Sequence, residues 1–239
     1  MARISTKNKE EWKVEKNVFS ASSERNLFKL SSQGFFQELE SPLSIGKEAN
    51  IFTARKEDGE LIIVKIYRLE NCNFNKMHEY IRPDPRYQKL KRQKRQVVFS
   101  WVQREYRNLL LAREVIKVPT PIAYKDNILL MEFIGESNPS SKVKYDLPKE
   151  KKAIAQFFKR TIGNMKKLHE HGLVHGDLSE YNILNCNNEP VFIDFSQSTV
   201  VENPHARALL ERDVKNVCVF FGKRIPVDAE KVLKSILKK

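Results

Sequence analysis

The stretch Val174–Gln197, VHGDLSEYNILNCNNEPVFIDFSQ, constrains this chain more than any other, because one short segment must place two carboxylates and an amide, Asp177, Asn182 and Asp194. Ile183 to Asn185 and Val191 to Ile193 read as two short strands, and the polar Cys186 to Glu189 between them reads as a turn. Such a hairpin folds Asp194 back beside Asn182, with Asp177 in the loop before it. Three groups so placed suit magnesium-assisted phosphoryl transfer. One Asp accepts the proton of an attacking hydroxyl, while the amide and the second Asp offer hard oxygen ligands to Mg²⁺ on nucleotide phosphates. Each of the three alone reads equally well as an ordinary loop residue; the ordered combination does not.

The N-terminal half carries a β pattern. Leu39 to Leu43 leads into SIGKEAN, Ile51 to Ala54 follows, and a turn around Asp58-Gly59 precedes LIIVKIY at Leu61 to Tyr67. Lys65 lies inside that apolar run, and a buried lysine without an anionic partner is expensive, so a partner is implied. Val97, Val98, Trp101, Val102, Glu105, Leu109 and Ala112 recur at three- and four-residue steps and predict an amphipathic helix with Glu105 on its inner face. Glu105 is the candidate partner of Lys65; the competing reading is a surface Glu105 paired with Arg104 or Arg107. Strands of this kind with a lysine on the last match the start of a kinase-like nucleotide lobe.

Between strand and helix, residues 68–96 form a long polar insertion with Pro83 and Pro85, expected to be partly disordered until something binds. It holds Lys89, Lys91, Arg92, Lys94 and Arg95 within seven residues, in a chain of formal charge +13, a pattern that favours polyanions and otherwise reads as a solvated loop. From Arg68 through Phe99 there is no Ser or Thr, so a serine switch inside the insertion is excluded, and Ser100 is the first candidate.

Residues 1–36 predict helices laid before the catalytic body, with Ser22 or Ser23 capping Glu24 to Leu30 and Gly34 closing a further turn. Ile128 to Ile134 is an apolar strand ending at Gly135, either a plain core strand or a hinge whose Glu132 and Ile134 backbones meet an adenine edge beside Met131. Lys149 to His171 predicts a helix packed through Ile154, Phe157, Phe158, Ile162, Met165 and Leu168; His169 and His171 at its end suit the helix dipole better than a metal. His175 reads as a prop for the loop that carries Asp177. Two helices, Ala206 to Phe221 and Val227 to Leu237, follow.

With 239 residues and 41% hydrophobic content, the chain can build one core or two small lobes sharing a cleft. Cys72, Cys186 and Cys218 never form CxxC, so neither a zinc site nor a disulfide framework is indicated. The N-terminus lacks the apolar core of a signal peptide, and no apolar run approaches membrane-helix length; the expected location is cytoplasmic, with no membrane contact.

On GKEAN at Gly46 to Asn50, the long insertion before the Glu105 helix, LLMEFIGE at Leu129 to Glu136, HGDLSEYN at His175 to Asn182 and IDFSQ at Ile193 to Gln197, the sequence resembles the RIO family of atypical serine protein kinases, in its type-one branch. That resemblance implies an α+β, two-lobed protein-kinase-like fold with a trimmed C-terminal lobe and extra N-terminal helices. Its divisions would be a helical extension at 1–36, an N-terminal lobe at 37–132 with the flexible basic insertion at 68–96, and a C-terminal lobe at 133–239. It implies ATP with Mg²⁺, or Mn²⁺, as cofactors and serine- or threonine-directed phosphorylation. It also implies an ATPase mode in which Asp194 is transiently phosphorylated, and a role in small ribosomal subunit maturation, the basic insertion meeting precursor RNA. By residue, the resemblance casts Asp177 and Asp194 as catalytic and Asn182 and Asp194 as metal ligands. Ser44, Lys47, Glu48, Lys65, Glu105, Met131, Glu132, Ile134, Ser179 and Glu180 are cast around the nucleotide.

The sequence departs from ordinary protein kinases at several points. The nucleotide loop has one glycine, Gly46, which shifts phosphate contact to Ser44, Lys47 and Glu48. Gly176 replaces the arginine before the catalytic Asp, Ser179 replaces the lysine two residues after it, and Asp194-Phe195-Ser196 replaces DFG with no APE following. With few residues beyond Asp194, docking of a free peptide is not expected. Two alternatives share HGDxxxxN: the small kinase of the tRNA threonylcarbamoylation complex and the aminoglycoside phosphotransferases. A third, from a different class, is a non-catalytic ribosome-assembly adaptor.

Overall fold

The computed structural model describes residues 19–70 and 72–238. Helix α1 (Ala21–Ser32) opens the described chain. Ser20, not Ser22 or Ser23, is its N-cap, its side chain accepting the Ser23 N–H; the two later serines lie inside the first turn. Gly34, at φ 82°, ends the helix as expected. The rest of the expected N-terminal helical extension, residues 1–18, lies outside the described residues.

Strands β1 (Glu38–Ile45), β2 (Ala49–Arg55) and β3 (Leu61–Tyr67) join β4 (Pro121–Lys125) and β5 (Ile128–Glu132) in an antiparallel sheet of order β1-β2-β3-β5-β4. Side chains alternate across a strand, and β3 uses both faces. Ile62, Val64 and Ile66 pack with Leu27 and Leu30 of α1 and with Ile128 and Leu130. Ile63, Lys65 and Tyr67 point the other way, toward helix α3 (Lys94–Ala112), the predicted amphipathic helix. The turn between β1 and β2 needs Gly46, since a Cβ there would lie 2.7 Å from the Ala49 carbonyl.

The insertion contains two elements that the sequence reading did not place. Helix α2 (Phe74–Ile81), capped by Asn73, buries Met77 and Ile81, and a 3₁₀ turn at Pro85–Tyr87 buries Tyr87. A stripe of three apolar residues suffices to seat a segment that its prolines and charges had marked as loose, and Pro85 stands at the first position of the turn, where no N–H donor is required.

Helix α4 (Lys151–Glu170), short strands β6 (Leu173–Val174) and β9 (Thr199–Val200), hairpin β7 (Ile183–Cys186) to β8 (Glu189–Phe192), and helices α5 (Ala206–Gly222) and α6 (Ala229–Leu237) form the second lobe. The hairpin pairs Ile183 with Phe192 and Cys186 with Glu189. Asn187 and Asn188, at φ 54° and 63°, make the tight turn, the left-handed pair whose twist suits a two-residue connection. Among the described residues, no helix is long and apolar enough to cross a membrane.

Candidate active site

The ammonium of Lys65 stands at the centre of the cleft between the lobes. Its Nζ lies 2.7 Å from Glu105 Oε1 and 2.9 Å from Asp194 Oδ1. Lys65 and Glu105 are both buried, so the surface pairing of Glu105 with Arg104 or Arg107 does not occur. Tyr67, two residues beyond Lys65 on the same strand face, donates its hydroxyl to Glu105 Oε2 at 2.5 Å. Both carboxylate oxygens of Glu105 are thus occupied, and its orientation is set from β3 alone. Burial opposes the charge of Lys65, but the carboxylates of Asp194 and Glu105 outweigh it and hold the ammonium protonated, well above the ordinary lysine range.

Asp194 adopts φ 63° and ψ 67°, a left-handed conformation uncommon outside glycine, which the hairpin on one side and the 3₁₀ turn Phe195–Gln197 on the other enforce. Its Oδ1 accepts from Lys65 and from the Ser196 hydroxyl at 2.7 Å. Burial would raise its carboxyl, yet Lys65 and Ser196 bring it down to about 2. Asn182 donates Nδ2 to the Asp177 carbonyl at 2.8 Å and more loosely to its carboxylate at 3.4 Å. Among the described residues, Asn182 Oδ1 and Asp194 Oδ2 make no hydrogen bond, and both residues line the same cleft. An amide oxygen and a carboxylate oxygen so left over are the hard donors that Mg²⁺ takes. Burial, with the charge of Asp194, pushes Asp177 up to about 6.

The loop carrying Asp177 is held from two sides. His175, buried, bridges the Ile193 carbonyl at 3.0 Å and the Asp177 N–H at 3.4 Å, and packs on Phe195. These partners assign it the neutral tautomer protonated on Nε2, and burial lowers it to about 4. From α5, Asp213 accepts the Gly176 N–H at 2.7 Å and the Leu178 N–H at 2.8 Å, while Arg212 donates to the Gly176 carbonyl. Gly176, at φ 80°, has no room for a side chain: a Cβ would come within 2.7 Å of the Gln197 carbonyl. The replacement of the usual arginine by glycine is therefore built into the backbone path.

The cavity behind this cluster has a volume of about 260 Å³. Of the residues assigned by sequence, Ser44, Lys65, Glu105, Met131, Glu132, Ile134, Asn182 and Asp194 line it, with Ile51, Ile63, Leu184 and Ile193 supplying apolar walls. Lys47, Glu48, Ser179 and Glu180 do not. Lys47 is exposed on the β1–β2 turn, Glu48 gives its carbonyl to the Arg68 N–H, and Glu180 turns to Lys144 at 3.7 Å. Asp177 sits at the cavity's edge beside Asn182. At the hinge, the Glu132 N–H is already spent on the Thr120 carbonyl and its carboxylate on the Thr120 N–H, which narrows the expected adenine contact. Ile134 keeps its N–H without an acceptor among the described residues, its carbonyl accepting from Ser140.

Sequence reasoning missed Tyr67, Asp213, Arg212 and the buried trio Asp84, Arg104 and Asn108. A signal existed for Asp213, which lies between Leu210 and Val217 on the apolar stripe of its helix, as Glu105 does on α3.

A β-sheet lobe and a mostly helical lobe, with a lysine–glutamate pair facing a left-handed aspartate across the cleft, define a protein-kinase-like phosphotransferase. The fold is shared with crystal structures of the Rio2 kinase from Chaetomium thermophilum, one of them its ADP/Mg²⁺-phosphoaspartate complex. TM-scores are 0.66 and 0.67 at 20% and 21% identity, over 90% of this chain and about two thirds of theirs. Residues 50–233 match the RIO domain. The RIO-type serine/threonine-protein kinase Rio1 of Methanocaldococcus jannaschii is 43% identical over 90% of this chain and 73% of its own, and that of Haloferax volcanii 37% identical over 93% and 76%. The human serine/threonine-protein kinase RIO1 is 32% identical over 82% of this chain and 35% of its own. This chain belongs to the RIO family of serine/threonine kinases.

Proposed function

We propose that this chain transfers the γ-phosphoryl group of ATP to a serine or threonine hydroxyl, with Asp177 accepting the hydroxyl proton. The reading is carried by one observation, the Lys65 ammonium held between Glu105 and Asp194 at the head of a cavity with an apolar wall. Lys65, oriented by Glu105 and Tyr67, is aimed at the phosphates. Met131 and the free N–H of Ile134 border the adenine end, and Ser44 borders the phosphate end. Asn182 and Asp194 would hold Mg²⁺, which when bound neutralises charge on the phosphates. The Asp177 loop is fixed by Asp213, Arg212 and His175 before any substrate arrives, which favours positioning as the main source of rate.

A second mode has its own support. The related Rio2 structure contains phosphoaspartate, and Asp194 here is ionised with one oxygen unpaired. In that mode an Asp194 oxygen attacks the γ-phosphorus, the bond to ADP breaks, and water then releases inorganic phosphate and restores the carboxylate. Incubation with γ-labelled ATP, alone and with small ribosomal subunit precursors, separates the modes. Hydroxylamine-stable label on a protein hydroxyl supports the kinase, hydroxylamine-labile label with free phosphate supports the ATPase, and neither would overturn both. Asp194→Asn is expected to lose the Mg²⁺-dependent part of nucleotide affinity together with turnover; a variant that binds Mg·ATP as wild type does would remove Asp194 from the metal site.

Small-subunit precursor RNA is the proposed partner of the basic insertion. Lys89, Lys91, Arg92 and Arg95 are exposed, and Arg92 and Lys94 touch Asn75 and the Glu70 carbonyl. Charge reversal across Lys89 to Arg95 should weaken RNA binding and flatten its log-log salt slope by about 0.7 per lost single-strand contact, with ATP turnover little changed. An unaltered slope would reduce the cluster to solvated surface.

A further inference from the structure

The buried polar groups that the mechanism leaves unused form one connected set. Asp84, in the insertion and fully buried, accepts from the Arg86 N–H at 3.0 Å and from the Arg86 guanidinium at 2.9 and 2.6 Å. It also accepts the Thr199 hydroxyl at 3.2 Å, and the Nε of buried Arg104 lies 3.4 Å from its Oδ2. Arg86 reaches on to Asn108 Oδ1 at 2.9 Å. The amide nitrogen of Asn108, also fully buried, donates to the carbonyls of Phe195 at 3.0 Å and Ser198 at 2.7 Å, and Arg104 approaches the Ser196 carbonyl at 3.4 Å. Three carbonyls of the turn that follows Asp194 are therefore held by α3 residues whose own partners converge on one carboxylate from residue 84.

We infer that Asp84 is a positioning residue through which the folded insertion holds the turn after Asp194, and thereby the left-handed backbone that presents the Asp194 carboxylate. The inference rests on the reading of Asp194 as a Mg²⁺ ligand for its functional consequence, but not for its structural part. The physical reason is charge. Arg104 has no water to turn to, and Asp84 is the carboxylate beside it, so Asp84 decides whether Arg104 and Arg86 stay where they can support Ser196 and Asn108. Outer partners of a metal ligand fix its orientation in this way. The insertion that carries the basic cluster is consequently coupled to the metal end of the cleft.

Two variants test this. Asp84→Asn removes the charge, and Arg86→Gln, at a half-buried position, cuts the link to Asn108 without stranding a buried cation, so it keeps the test open should Asp84→Asn fail to fold. The first readout is amide hydrogen exchange of the nucleotide-free protein. Exchange over residues 195–199 is expected to rise about tenfold while β2 and β3 stay protected. The second is the ratio of ADP dissociation constants without and with Mg²⁺, which cancels any loss of folded protein. It should fall by about tenfold, the lower end of what an outer metal-ligand partner controls, and Asp84→Glu should recover part of it. Unchanged exchange over 195–199 in a folded variant, or an unchanged ratio, overturns the proposal. A wild-type ratio of one would instead count against Asp194 as a metal ligand, and the exchange result alone would then decide whether Asp84 holds the turn.

Discussion

Asp177→Ala is expected to reduce phosphoryl transfer by roughly 10²- to 10⁴-fold, the range that a positioned general base contributes, while nucleotide affinity stays near wild type. The separation of the two effects follows from where the side chain lies. Asp177 is at the edge of the nucleotide cavity, not in its lining, and the backbone of its loop is held mainly by bonds that do not involve its carboxylate, which meets Asn182 and Arg212 only at 3.4 and 4.0 Å. Asp213 holds the N–H groups of Gly176 and Leu178, and Asn182 keeps its 2.8 Å bond to the Asp177 carbonyl whatever side chain residue 177 carries. Single-turnover label transfer measures the first quantity and calorimetric ADP binding the second. A variant that transfers phosphate at the wild-type rate would remove Asp177 from the chemistry; one that loses ADP binding in parallel would make it a structural residue.

Lys65→Met should be the most destabilising single change in the cleft. It leaves Glu105, fully buried, facing only the Tyr67 hydroxyl, and an uncompensated buried charge costs about 3–5 kcal/mol. For a chain of this size that corresponds to a fall of roughly ten degrees in melting temperature. The double change Lys65→Met with Glu105→Met removes the stranded carboxylate and should recover most of the stability, while activity stays lost because no cation reaches the phosphates. Thermal melts of the two single variants and the double, read as a double-mutant cycle, isolate the coupling. A double variant destabilised by the sum of the two single losses would show that the pair is not coupled as its 2.7 Å contact implies.

Much of the cleft was legible because burial has a period. Lys65 in an apolar strand and Glu105 on a helical stripe were each marked by being charged where neighbours were not, and the two charges were opposite in sign. The hairpin that carries Asn182 and Asp194 was legible for the same reason, although its turn is shorter than expected, the Asn187-Asn188 pair taking the left-handed conformations that let the strands close directly. The helix and the 3₁₀ turn inside the insertion were not legible. Its prolines and basic residues outweighed Met77, Ile81 and Tyr87, three apolar positions spread over eleven residues, and nothing local marked Asp84 as buried.

Lys47, Glu48, Ser179 and Glu180 sit within motifs that line the cleft without lining the cavity themselves. Lys47 is exposed and Glu180 turns to Lys144, while the carboxylate of Glu48 is close enough to add to the rise of Asp177. Proximity along the chain to a lining residue says little about direction once the segment is an irregular loop, where side chains have no fixed alternation.

From the sequence alone came most of the longer strands and helices, the buried ion pair and the candidacy of the two carboxylates and the amide, because spacing reports which face of an element is buried and a charge on that face demands a partner. The left-handed setting of Asp194, the capture of the Asp177 loop by Asp213, and the chain of contacts from Asp84 to the carbonyls at 195–198 were decided only by tertiary structure. The last two join groups 22 to 115 residues apart, and periodicity specifies that a side chain is buried without specifying what it is buried against.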